Sequence, residues 1–493
     1  MSVLWEFAEE CLKKNPTSII EEYDGIKYNY KELLELINTY GSFSDSLSYK
    51  GCKCIVICRK SIESLKALLF CWRIGMIAVP MSLHYGIEQC QKIIKVIQPE
   101  FILSDDESIN LYNELPIYTI QNFLKQSIYS AVNDIVDVEL MMCTSGTTGM
   151  PKASMFTGTA IKTNVLAISD YFPITNRDKI LIARPLYHCA VLVGEALTAL
   201  NNGASIIFYS NEYNPIVLSR ILEKEKITVM CGTPTIFKGL ADCLRFRKKV
   251  GELQVIALSG EYLIDEYAKY IEKIFNKARI FNVYGLTEAG PRVSYLMSGK
   301  FSSIPQSVGV PLNGVEIMIV KDSKGNNKEY IVAGNGEVGK VWVNTPSLMI
   351  GYYRDEKNTE EHIHGKWFDT GDMGYINDGF LYIVGRSDDM IIKSGVNIYP
   401  REIECKILEL DEVKDVLVYG MIIDDVEQIV ADIILEEQFI MLDLINLKKI
   451  ISKQVQSYMM PYVINIVKDF KRNASGKVVR PSKKLRTLHF DEE

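Results

Sequence analysis

The chain has 493 residues, 47% of them hydrophobic and 24% charged, with a formal net charge of −7 at pH 7. That length predicts two or three domains, and the composition is that of an ordinary soluble globular protein. The acidic balance excludes a general nucleic-acid binder, so any anionic ligand must be met by local positive groups and backbone donors.

No apolar run reaches the ~20 residues of a membrane-spanning helix. The opening Met1-Ser2-Val3-Leu4-Trp5-Glu6-Phe7-Ala8-Glu9-Glu10 carries acids and no basic run, so no secretory leader is expected. Cysteine is scattered and odd in number, 11 in all, with Cys54 and Cys58 inside an apolar run. This suits buried, reduced thiols and a cytoplasmic location. Cys52-Lys53-Cys54 lacks the second Cys/His pair of a zinc site.

Over residues 1–385 short apolar runs alternate with segments of helical period. Strand-like runs are Cys54–Cys58, Leu140–Cys143, Ile180–Ala183, Ser205–Tyr209, Thr228–Cys231, Val255–Leu258 and Arg279–Val283, and Ile216–Lys226 reads as a helix. The alternation predicts α/β layers.

One of these runs opens into Thr144-Ser145-Gly146-Thr147-Thr148-Gly149-Met150-Pro151-Lys152. Glycines let backbone N–H groups crowd an anion, hydroxyls donate to its oxygens, and Lys152 adds charge, so the loop reads as a phosphate cradle. It is not a Walker A loop, because two residues rather than four separate its glycines. A surface loop rich in Ser, Thr and Gly is the plain alternative.

Near residues 308–350 the pattern turns to alternating strands with Gly turns, as in Val315–Val320 and Lys340–Asn344, which predicts a β-rich subdomain. Gly334-Asn335-Gly336-Glu337-Val338-Gly339-Lys340 matches the spacing of a dinucleotide fingerprint, but a strand-like run follows where a helix is needed. It reads as a hairpin turn. His362-Ile363-His364 lacks further metal ligands and reads as a loop. From Arg386 on, Arg401–Leu410 and Leu442–Gln456 read as helices, and Val416–Ile423 and Gln428–Leu435 as paired strands. This divides the chain into a large domain, 1–385, and a small α+β domain, 386–493.

Further segments follow the loop in fixed order: Arg184-Pro185-Leu186-Tyr187-His188, Gly232-Thr233-Pro234-Thr235, Asn282-Val283-Tyr284-Gly285-Leu286-Thr287-Glu288, Phe368-Asp369-Thr370-Gly371-Asp372 and Gly385-Arg386-Ser387-Asp388-Asp389. Lys393-Ser394-Gly395 then leads to Tyr399–Glu404, and Asn473-Ala474-Ser475-Gly476-Lys477 stands near the end. Together, and with Tyr28–Leu33 as an opening segment, they resemble the adenylate-forming (AMP-binding) superfamily of acyl-CoA synthetases, aryl-acid ligases, luciferases and peptide-synthetase adenylation domains. The resemblance covers nearly the whole chain. It implies a fold with a large N-terminal domain of layered α/β subdomains plus a β-rich subdomain, and a small, mobile α+β C-terminal domain carrying a catalytic lysine.

The activity it implies has two steps. A carboxylate attacks the α-phosphate of ATP, giving acyl-adenylate and pyrophosphate; a thiol then takes the acyl group, releasing AMP. By resemblance, Thr144, Ser145, Gly146, Thr147, Thr148, Gly149 and Lys152 hold the β- and γ-phosphates. Tyr284 stacks on adenine with Asn282 near its amino edge, Gly285 follows in the same motif, and Gly260 and Glu261 wall the adenine pocket. Thr287 donates to the α-phosphate, Glu288 holds Mg²⁺, Asp372 accepts the ribose hydroxyls, and Arg386 faces ribose or phosphate. Lys477 bridges the attacking carboxylate and the nucleotide. Asp388 marks the hinge on which the small domain swings, bringing the loop around Gly395 toward the thiol arm. His188 lines the acyl pocket, with Val193, Phe237 and Tyr262 as further candidates. Cys143 and Ala153 depart from the family, which favours an aromatic residue and a glycine there.

Cys189–Gly194 has no acid where amino-acid activators place an Asp, so a fatty or aryl acid in an apolar pocket is expected. CoA is the leading thiol. The phosphopantetheine of a carrier protein is the second, with the basic stretch Lys468–Arg486 as a candidate docking patch. A degenerate adenylate-binding sensor would be expected to have lost Lys477, Glu288 or Asp372, and all three are present.

Overall fold

Runs that are apolar at every position become strands covered on both faces, as parallel sheets between helices require. In the computed structural model, Lys53–Val56, Ile77–Pro80, Val229–Gly232 and Val255–Ser259 are buried at every residue. The structure describes residues 2–44, 49–82, 85–108, 115, 117–125, 137–144, 150–245, 251–301, 303–321, 330–393, 395–423, 426–471, 478, 480–481 and 487–488. The chain divides into two compact units, Met1–Ile317 with Val343–Phe368, and Met318–Trp342 with Asp369–Glu493.

The first unit is mixed α/β with two sheets. In one, the strands Arg279–Tyr284, Val255–Ser259, Val229–Gly232, Lys179–Ile182, Ser205–Phe208 and Ile19–Glu22 run parallel in that order. Antiparallel strands flank them, Ser294–Met297 beside the first and Lys27–Asn29 beside the last. In the other, Phe101–Leu103, Lys53–Val56, Ile77–Pro80 and Leu140–Thr144 are parallel, and Lys152–Phe156 returns antiparallel along the last. Some of the helices between the strands start on side-chain caps. Thr157 and Asn214 accept from the first turns of Gly158–Tyr171 and Pro215–Lys224, the latter with proline at its first position.

Glu139 ties the first helix to this second sheet. Its carboxylate accepts from the backbone N–H groups of Val3 and Leu4, both at 2.8 Å, and from the Ser2 hydroxyl at 2.6 Å, capping the helix Val3–Lys14. Its own carbonyl accepts from the Trp72 indole at 3.0 Å.

The second unit contains the hairpin Trp367–Asn377 with Phe380–Arg386, which begins in the last residues of the first unit, and a sheet built on the hairpin Val413–Ile423 with Val426–Leu435. Val463–Ile466 adds parallel to the latter. The helices Pro400–Leu408 and Leu444–Gln454 supply Ile403, Ile407, Leu447 and Ile451 to the core over that sheet.

Two local expectations are corrected. Gly334–Lys340 does lead into a strand, Gly339–Asn344, but it is not the turn of a simple hairpin, because the strand before it, Ile331–Val332, pairs with Glu316–Lys321. Nor is His362–His364 a loop. His362 ends the helix Glu356–His362 with its ring stacked on Phe368, and Ile363–His364 pairs antiparallel with Trp367 and Phe368. The cysteines are all free thiols, seven buried and four half-buried. Among the described residues no helix is long and apolar enough to cross a membrane.

Glu139→Ala removes a charged acceptor from three donors at a helix start. It should cost about 2–4 kcal/mol in denaturant unfolding, with Glu139→Gln retaining part of the loss; an unchanged midpoint would refute the capping role.

Candidate active site

Ligands of open α/β sheets bind outside the carboxyl ends of the parallel strands. Here four neighbouring strand ends carry the motif residues. Arg184 follows Lys179–Ile182, Thr233 follows Val229–Gly232, Gly260 follows Val255–Ser259, and Tyr284 closes Arg279–Tyr284.

Each motif has a local physical reason. Thr233 caps the helix Pro234–Leu244 by accepting from Ile236 N–H, and Pro234 takes the first helical position, where no N–H is needed. Thr235 donates to Glu261 through its hydroxyl at 2.7 Å and its backbone N–H at 3.2 Å, joining two strand ends. Gly260 sits at φ +89°, which favours glycine. Asn282 is buried and donates its amide to the Ser307 carbonyl at 3.1 Å. A Cβ on Gly285 would lie 2.2 Å from the Pro291 carbonyl oxygen, so the chain folds back on itself there. Thr287 and Glu288 then stand on the short 3-10 turn Thr287–Ala289.

Thr144 and Lys152 face each other as paired residues of antiparallel strands, so the loop between them springs from one point of the sheet. Ser145, Gly146, Thr147, Thr148 and Gly149 lie outside the described residues. Lys152 Nζ donates to Asn358 Oδ1 at 2.8 Å and lies 5.0 Å from the centre of the Tyr352 ring. The Tyr352 hydroxyl donates to Glu288 Oε1 at 3.0 Å. A continuous chain thus runs Asn358, Lys152, Tyr352, Glu288. Tyr352 reaches this place because Gly351–Tyr352 pairs with Ser154 and Met155 on the Lys152 strand. Asn358 is held by its amide on Asp355, which caps the helix Glu356–His362.

Sequence reasoning passed over Tyr352 and Asn358. A run of Gly-Tyr-Tyr before a capped helix was their one local signal, and nothing in it names Lys152 as a partner.

His188 is half-buried, its ring 4.2 Å from that of Tyr187, and its carbonyl accepts from Val191 and Leu192. Tyr262 is also half-buried, whereas Val193 and Phe237 are fully enclosed, Phe237 against Phe275. The apolar stretch after His188 ends at Glu195, a buried carboxylate that the sequence reading passed over; it accepts from Arg184 at 2.6 Å. Burial raises its pKa and the arginines beside it oppose the rise. Cys189 is pushed up by burial, with the Glu288 charge adding to the shift.

In the second unit, Asp372 and Arg386 are paired residues of the hairpin, and Arg386 Nη1 donates to Asp372 Oδ1 at 3.1 Å and to the Thr370 carbonyl at 3.0 Å. Asp388 is exposed on the 3-10 turn Ser387–Asp389. Gly395 is exposed at φ +78° with open space around it. Lys477 lies outside the described residues.

Residues 8–353 match the family model described as AMP-binding enzyme. The chain is 26% identical over 367 residues to a feruloyl-CoA synthase from an Amycolatopsis species, covering 72% of this chain and 73% of that one. It is 23% identical over 475 residues to an indoleacetate–CoA ligase from Aromatoleum aromaticum, covering 91% of each. Among solved structures it resembles the O-succinylbenzoate coenzyme A synthetase of Bacillus subtilis in complex with ATP and magnesium ion. There the TM-score is 0.84 at 22% identity, covering 97% of this chain and 99% of that one.

Gly285→Ala forces the Pro291 carbonyl to move and should lower stability by about 1–3 kcal/mol. Denaturant unfolding measures the loss, and a neutral result would mean that the turn yields freely.

Proposed function

The chain belongs to the AMP-binding enzyme family, and on that premise we propose that it joins a carboxylic acid to the thiol of CoA through an acyl-adenylate. The observation that carries this reading is the Lys152–Tyr352–Glu288 chain, which holds a cation and a carboxylate beside the root of the Thr144–Lys152 loop. Relatives named as CoA ligases act on aryl acids and on long-chain fatty acids, and both classes fit the expectation of a fatty or aryl acid. They favour CoA over a carrier protein as the acceptor.

In the first step an oxygen of the acid's carboxylate bonds to the α-phosphorus of ATP, and the bond to pyrophosphate breaks. Two anions must meet, so catalysis here is chiefly charge neutralisation and alignment. In this reading Lys152 receives phosphate charge, Thr287 donates to the α-phosphate, and Tyr284 stacks on adenine. Asp372 receives the ribose hydroxyls with Arg386 beside it. In the second step the thiol sulfur bonds to the acyl carbon, its proton leaves to solvent, and AMP departs with the bonding electrons. Lys477 serves the first step, and residues 386–493 turn at Asp388 against 1–385 so that the Gly395 loop serves the second. An exposed turn such as Ser387–Asp389 suits that role, since hinges need only absorb backbone rotation.

Glu288 fits magnesium. Its carboxylate meets a neutral hydroxyl and no cation among the described residues, and Mg²⁺ takes one or two carboxylates plus phosphate oxygens. When bound, the ion would shield phosphate charge at the attacked phosphorus.

Incubation with ATP, Mg²⁺, CoA and a pooled acid panel, followed by mass spectrometry, should yield an acyl-CoA and AMP. Acyl-adenylate without acyl-CoA would point to a carrier thiol instead, and release of no AMP from any acid would end the ligase reading. Tyr352→Phe keeps the ring under Lys152 but loses the donor to Glu288. It should weaken apparent Mg²⁺ affinity by about 10–100-fold with little change in melting temperature.

A further inference from the structure

Arg292 is a guanidinium removed from water without a carboxylate to meet it. The residue is 3% exposed. It donates to the Gly194 carbonyl at 2.7 Å, to the Tyr171 hydroxyl at 3.0 Å and to the Cys231 sulfur at 3.6 Å, and lies 4.7 Å from the centre of the Phe172 ring. All of these partners are neutral. Among the described residues it forms no ion pair.

Glu195 is 1% exposed, and its Oε1 is already taken by Arg184. Two other atoms of that pair are orphaned. Glu195 Oε2 and Arg184 Nε are buried and find no hydrogen-bond partner among the described residues. Only Arg184 pairs with this carboxylate, while Arg292 acts on it through space, so two guanidiniums and one carboxylate leave an excess of one positive charge. An uncompensated buried charge is strongly destabilising, and buried charges are normally paired.

Arg184 borders strand ends that carry motif residues. Arg184 Nη2 is 3.5 Å from Ser259 Oγ, and its Nη1 would lie 3.9 Å from a Cβ on Gly260. Arg292 is followed by Val293, whose N–H donates to the Tyr284 carbonyl at 2.8 Å. The Arg184 side chain and the Arg292 backbone thus adjoin the strand ends assigned above to adenine, and the Arg292 guanidinium reaches Cys231 on the neighbouring strand Val229–Gly232. Room for Arg292 is built in, since a Cβ on Gly194 would lie 3.1 Å from its Nε. Gly194 and Glu195 belong to the π-helical turn Leu192–Leu197, a feature frequent at functional sites.

We propose that the acid activated here carries a second carboxylate, received by Arg292 and Arg184. Guanidinium forks match a carboxylate in charge and in geometry. A plain fatty acid would leave the excess charge unmet. An amino acid would bring an ammonium to a cluster that already has one cation too many. This inference rests on the ligase reading and narrows its substrate.

The test uses the wild-type chain with ATP, Mg²⁺ and CoA. AMP release is followed for aliphatic and aryl dicarboxylates of stepped length. Each is paired with an isosteric monocarboxylic acid whose second carboxylate is replaced by a methyl group or a primary amide. The best dicarboxylate should exceed its partner in kcat/KM by at least about 100-fold. In Arg292→Met, checked for folding by thermal melt, that ratio should collapse toward one through a rise in KM for the dicarboxylate. Monocarboxylic acids preferred by the wild type would overturn the inference and leave the ligase reading standing. A ratio unchanged in both Arg292→Met and Arg184→Met would likewise overturn it. AMP release from no acid would overturn the ligase reading, and the inference with it.

Discussion

One tyrosine keeps a cation and a carboxylate from neutralising each other. Lys152 and Glu288 both border the same tyrosine, and opposite charges left to themselves at such a site would pair. The Tyr352 ring takes the lysine on its face and the hydroxyl takes the glutamate. A ring face attracts an ammonium by about 0.5–2 kcal/mol, enough to hold the side chain in place without consuming its charge. Asn358 then fixes the lysine from the other side with a neutral acceptor. Both charges remain available to a ligand, already oriented.

The same segment explains why the tyrosine stays put. Gly351 and Tyr352 add a short strand to the edge beside Lys152, and Tyr352 N–H donates to the Thr359 hydroxyl at 2.9 Å. Thr359 and Asn358 belong to a helix started by Asp355, so one cap orders three residues of the site. The acidic net charge of the chain is no obstacle, because the positive groups that matter are held locally. Lys152 and Arg292 meet neutral groups, and Arg184 meets one buried acid.

Much of this was legible in the sequence. Fully apolar runs became the parallel strands to within a residue or two at each end, because burial on both faces leaves no polar position to misplace. The motif residues fell at strand ends, where the polar runs begin. What escaped depends on distance in space rather than along the chain. Tyr352 acts on a lysine two hundred residues earlier, and Glu195 hides as a single charge in an apolar stretch whose meaning appears only once Arg184 is seen beside it. Strand Ile331–Val332 likewise chose its partner by sheet order, which adjacency in sequence could not reveal.

The free thiols described above carry a consequence of another kind. Burial pushes Cys11, Cys52, Cys143 and Cys231 up to about 12 and Cys90 up to about 11, and moves Cys58 and Cys189 in the same direction. Disulfide exchange needs a thiolate, and at neutral pH these sulfurs hold their protons. A protein whose proposed acceptor is itself a thiol can therefore work among oxidised and mixed-disulfide forms of that acceptor while seldom becoming covalently loaded through these cysteines. At these cysteines, sulfur chemistry is left to the substrate.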